Sequence, residues 1–107
     1  MSADPEMQLL KEMDRGQQAK DLMEHPLMLE AFETIRQTYL TQWENSPARD
    51  TEGREKIWTY LKQLDSLKAH LTSVIQTGLM AKEQYSLMEQ MKERMKAGAR
   101  SVANWRL

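Results

Sequence analysis

The chain has 107 residues, 40% hydrophobic and 29% charged, with no cysteine and a formal net charge of −1. That length makes one domain with a thin core, too little for a closed catalytic cavity and its supporting shell, and the lack of cysteine excludes disulfides, thiolate nucleophiles and Cys-containing zinc sites. Near-neutral charge gives no global preference for nucleic acid, and no run approaches the roughly 18 apolar residues of a membrane span.

Met1-Ser2-Ala3-Asp4-Pro5-Glu6 is acidic, the opposite of a signal peptide's basic start, so a soluble cytosolic protein is expected. Three prolines and four glycines are too few to punctuate a multi-stranded sheet. The expected fold class is therefore all-α.

Asp4-Pro5-Glu6 reads as a helix start, because Asp can accept from a free first-turn amide and Pro at the first helical position sacrifices no bond. A first helix is expected over 5–24, with Leu9, Leu10, Met13, Leu22 and Met23 as its apolar positions and a weak middle at Gly16, Gln17 and Gln18. Pro26 lacks an amide hydrogen, so His25-Pro26 either kinks one long helix or starts another. Over 26–45, Met28, Phe32, Ile35, Tyr39 and Trp43 recur at the spacing of one helix face, and Asn45-Ser46-Pro47 then supplies a turn.

Asp50-Thr51-Glu52 starts a third helix, with an oxygen-bearing cap and an acid where the helix dipole favours it. Ile57, Leu61, Leu64, Leu67, Leu71, Val74 and Ile75 form the strongest stripe in the chain, continued by Leu79, Tyr85, Met88, Met91 and Met95. A helix over 51–97 would span about 70 Å if straight. Gly78 reads as its flexing point, and Ala97-Gly98 as its stop before a tail at 98–107 that carries Val102, Trp105 and Leu107.

Folding at 45–50 brings two arms of similar length together. The expected architecture is a long antiparallel helical hairpin with a kinked or broken N-terminal arm and a short C-terminal tail. Trp43, Trp58, Leu61, Leu64, Leu71 and Ile75 are its expected core. Because a pair of helices hides one stripe each, further apolar surface must be met by another copy, another protein, or the first helix folded back as a third member. Residues 1–50 carry 10 acidic and 5 basic groups and residues 51–107 carry 6 and 10, a polarity that suits antiparallel contact between halves or head-to-tail contact between copies.

No pattern for chemistry emerges. His25 and His70 lack metal-type spacing, although a hairpin would put them at similar heights on opposite arms. The carboxylates lie between apolar positions as solvated charges, and no phosphate-binding loop, dinucleotide fingerprint or nucleophile elbow is present. No catalytic residue, cofactor, metal or small-molecule substrate is expected, and the protein is read as a non-enzyme. Nine methionines at helical spacing mark packing surface, and Met88, Met91, Met95 and Trp105 are the expected partner-binding residues. Lys92, Arg94, Lys96 and Arg100 form a basic end. Favourable placement of cations at a helix C-terminus explains it better than phosphate contact, which is the weaker reading.

The segments Ala19–Phe32, Trp43–Asp50, Gly53–Ile57, His70-Leu71 and Gly78–Ala81 resemble a family of short helical proteins of tailed bacteriophages, found among genes for the head and for DNA packaging. The likeness spans roughly residues 15–90 and brings no assigned catalytic residue with it. It implies a phage structural or packaging-associated protein that oligomerises or docks on another phage protein through its helices. Such a protein would reside in the host cytoplasm and in the virion. The alternative is a small soluble effector that binds and inhibits a host enzyme such as a nuclease.

Overall fold

A computed structural model describes residues 4–105, and its side chains through Arg100. Three helices follow one another: α1 (Pro5–Glu24), α2 (Pro26–Asn45) and α3 (Thr51–Trp105). No strand occurs among the described residues.

Each helix begins where local chemistry satisfies its free amides. The Asp4 carboxylate accepts from the Glu6 amide at 3.1 Å, with Pro5 in the first turn. His25 serves two helices at once. Its backbone N–H donates to the Leu22 carbonyl at 3.3 Å to close α1, and its Nδ1 accepts from the Leu27 amide at 3.1 Å to open α2. With ψ at 127°, His25 itself is extended, as a residue preceding proline tends to be. At the start of α3, Asp50 accepts from the Gly53 amide at 3.1 Å.

The turn between α2 and α3 is clasped by Arg54. Its guanidinium donates to the Ser46 hydroxyl at 3.0 Å and to the Ser46 carbonyl at 3.3 Å, and it stacks 4.1 Å from the centre of the Trp43 ring. From there the arms keep step. Tyr39 lies against Tyr60 with ring centres 5.4 Å apart, and Arg36 bridges Asp65 at 3.0 Å. Lys68 sits over Phe32, Gly16 meets Gly78, and Glu6 bridges Lys92 at 3.2 Å. Thus α2 takes the stretch of α3 from Arg54 to Lys68, and α1 takes the next stretch as far as Lys92. The first helix does not form a third layer over α2.

α1 lies against α3 more closely than α2 does, for a reason visible in side-chain size. Gly16 and Ala19 of α1 and Gly78 and Ala81 of α3 are all buried, so the backbones approach where nothing larger intervenes. α2 instead presents Phe32 and Tyr39, which hold the helices farther apart.

Several sequence expectations are corrected here. α1 is continuous through Gly16, which packs against Gly78. Gly78 is no bend in α3, because it is a regular helical residue held in that contact. The covered line of α3 runs through Val74, Gly78, Ala81, Tyr85 and Met88, leaving Leu79 at the surface. Ala97-Gly98 does not end α3, which continues to Trp105; no glycine has the positive φ of a C-terminal cap, and no proline follows. The expected tail therefore begins as helix. Trp43 is 42% exposed and Trp58 59%, so neither is core, while Leu61, Leu64, Leu71 and Ile75 are half-buried.

The result is a rod of 89 × 30 × 21 Å with a radius of gyration of 24.1 Å, against about 13 Å for a compact domain of this length.

Candidate interaction surface

Among the described residues, Leu9, Ala19, Phe32 and Ala81 are the buried apolar side chains, and no large side chain is fully enclosed. The accessible surface is 8896 Å². A compact monomer of 12.6 kDa would expose about 6,200 Å². The difference arises from geometry, since two helices have one shared face between them and all others are open.

Exposed apolar side chains run along much of the rod, Met7, Trp58, Leu67 and Met80 among them, and two regions group several together. One lies at the junction of α1 and α2, where Leu22, His25, Leu27, Met28 and Ala31 line a shallow groove and Leu27 is 65% exposed. On the α3 side of the same junction, Met23, Leu29, Phe32 and Leu64 line a second groove with Glu33, Arg36 and Lys68 at its margin. The other region is the distal part of α3, where Leu87, Met91 and Met95 follow at intervals of four on one helix face. Met91 is 61% exposed, off the line of α3 that faces α1, and Met95 is 73% exposed where α3 continues beyond the Glu6–Lys92 contact near the start of α1. Met88, one turn earlier, is half-covered. Trp105 falls within α3, and its side chain lies outside the described part.

The basic residues of this end have different surroundings. Lys92 bridges Glu6 at 3.2 Å and Glu89 at 3.5 Å, and the hydrogen bond it donates to the Glu6 carboxylate holds its ammonium pKa above the usual lysine value. Lys96 approaches Glu93 at 3.8 Å, a local pair one turn apart. Arg94 and Arg100 are exposed. All the ion pairs of the described residues are on the surface, where each contributes little to stability and is weakened by salt.

The two histidines occupy separate surroundings. His25 is engaged in capping beside Leu22 and Leu27, whereas His70 lines a groove with Glu12, Arg15, Ser73, Val74 and Thr77. No group of three or more histidines and carboxylates among the described residues could hold a metal ion. Among those residues no helix is long and apolar enough to cross a membrane.

Three features escaped the sequence reading. Leu27 and Leu29 flank the Met28–Phe32 face, and their apolar character beside Pro26 was the available signal for an exposed patch. The Arg54 clasp and the glycine contact join residues whose pairing leaves no mark in local spacing.

These observations define a class: an elongated all-α protein, two helices thick, whose apolar faces outrun its own capacity to cover them. The chain matches no protein-family model, no curated protein and no solved structure.

Proposed function

We propose that this chain is a non-enzymatic assembly module, a long antiparallel helical hairpin broken at His25, whose uncovered faces are closed by further copies of itself. The observation that carries this reading is the excess surface, roughly 2,700 Å² beyond a compact monomer of equal mass. A standard protein–protein interface takes about 800 Å² from each partner, so the excess leaves room for contacts to more than one neighbour. Leu27, Met91 and Met95 make part of that surface apolar, and adaptable methionines suit repacking against a partner.

The resemblance of residues 15–90 to phage proteins from the head and packaging region supports a place for such a module on a head or packaging component, in the host cytoplasm and the virion. Light scattering coupled to size exclusion, over a concentration and salt series, tests the assembly. A defined oligomer larger than the 12.6 kDa chain is expected. A monomer throughout the series, forming instead a stoichiometric complex with a host enzyme, would favour the inhibitor reading. Mass spectrometry of purified virions tests the location.

A further inference from the structure

We infer that the contact between copies is head-to-tail: the distal end of α3 in one molecule docks on the α1–α2 junction of the next. This deepens the self-association reading and rests on it. Its basis is a match of charge and apolarity between two surfaces that one molecule cannot bring together.

The junction is acidic and apolar. Residues 20–36 carry Asp21, Glu24, Glu30 and Glu33 against Lys20 and Arg36, a net acidic segment, and around the break they expose Leu22, Leu27, Leu29 and Ile35. The end of α3 is its counterpart. Residues 91–100 carry Lys92, Arg94, Lys96 and Arg100 against Glu93 alone, and they expose Met91 and Met95. One surface thus offers a shallow apolar groove on a segment with an excess of carboxylates, and the other a helix with protruding methionines among cations.

Within one molecule the two are held apart. The junction lies beside Leu64 and Lys68 of α3, and Met95 comes 27 residues after Lys68, about 40 Å farther along a straight helix. A second copy is therefore the occupant. Pairing two α3 ends with each other would set Arg94, Lys96 and Arg100 of both copies close together, and like charges oppose that arrangement. Docking on the acidic junction removes the conflict and leaves each copy with one donor end and one acceptor groove. Such a heterologous contact propagates, giving a ring if its rotation closes and a filament if it does not.

Charge reversal tests the pairing in the full-length chain by sedimentation velocity. At a concentration where wild type is mostly oligomeric, Arg94→Glu/Lys96→Glu/Arg100→Glu and, separately, Glu30→Lys/Glu33→Lys should each sediment near the mass of one chain. Mixing the two variants should restore oligomers, since each then meets an opposite charge. All five side chains are exposed, and circular dichroism checks that helicity is retained. Should either variant lose helicity, Leu27→Gln and Met95→Gln provide the same comparison through the apolar half of the contact. A wild-type monomer at every concentration overturns both the assembly reading and this one. Wild-type oligomers with undiminished association of the variants, or no recovery on mixing, overturn the head-to-tail contact alone. Oligomers that disappear on nuclease treatment overturn it too, by making nucleic acid the occupant of the basic end.

Discussion

Gly16 of α1 and Gly78 of α3 meet backbone to backbone: a Cβ on either would lie 2.8 Å from the other's Cα. Contact that close requires the absence of both side chains, and neither glycine is there for a turn, since both are in regular helix. Ala19 and Ala81, three residues beyond each glycine, extend the low profile along both helices. The pair thereby sets how near α1 comes to α3, and with it the positions of Leu9 beside the seam and Glu6 opposite Lys92.

Adding a methyl group at either glycine should therefore destabilise the protein despite the better helix propensity of alanine. Gly16→Ala or Gly78→Ala should cost about 1–3 kcal/mol of overpacking, less the ~1 kcal/mol gained in propensity. The double variant should cost less than the sum of the two, because helices already forced apart accommodate the second methyl group. Gly98→Ala, with nothing within 4 Å of its added carbon, should instead stabilise α3 by up to about 1 kcal/mol. Urea unfolding of the four variants checks all three statements.

Phe32 is the largest of the buried apolar side chains and lies where α2 meets α3. Truncation to alanine should cost about 3 kcal/mol, the lower end of the range for a core phenylalanine, because the rod has little structure around the site. Trp58→Ala should leave the unfolding of dissociated chains nearly unchanged, because its ring is mostly in solvent. Thermal melts at low protein concentration distinguish the two.

His25 caps α2 through its ring nitrogen. His25→Ala removes that acceptor and should cost about 1 kcal/mol, whereas His25→Asn, whose side-chain oxygen can accept the same amide, should restore most of it. Amide hydrogen exchange at Leu27 and its neighbours reports the loss and the rescue.

Arg54 joins Ser46 and Trp43 across the α2–α3 turn. Arg54→Ala should destabilise the closed end by about 1–2 kcal/mol, from the lost stacking together with the charge-assisted bonds. Arg54→Lys should recover only part, since an ammonium cannot both stack flat and reach two Ser46 acceptors. Trp43 fluorescence should shift in both variants.

The Glu6–Lys92 bridge makes the docking of α1's first turn weaken at strongly alkaline pH. Because the pKa of Lys92 is raised in the folded chain, its contribution is complete below the ordinary lysine value of 10.5 and is lost as pH rises through the higher folded value. No change from this group is expected at neutral pH. Hydrogen exchange of the residue 8–10 amides, compared between wild type and Glu6→Gln, should differ at pH 9 and converge once the pH has risen past the point where Lys92 loses its proton.

Helix ends and helix identity were legible in the residues themselves because the forces that set them are local. Asp4-Pro5, His25-Pro26 and Asp50 each act on amides within three residues, and the three helix starts fall at Pro5, Pro26 and Thr51 as those signals indicate. The end of α3 was misread for a related reason: Gly98 weakens a helix by only about 1 kcal/mol, and among Ala, Lys, Arg and Met neighbours that is too little to stop it. Core positions were legible only in part. Ranking by size favours Trp43, Trp58 and Leu79, whereas the seam is built from Gly78 and Ala81.

Composition and local pattern by themselves determined that this chain is helical, where its helices start, and that its apolar residues exceed what a pair of rods can hide. Only the packed structure decided which residues face each other, because that depends on how closely two backbones distant in sequence can approach. At Gly16 and Gly78 the approach is limited by the atoms the residues lack, and a stripe of small side chains is silent in any reading that looks for large ones.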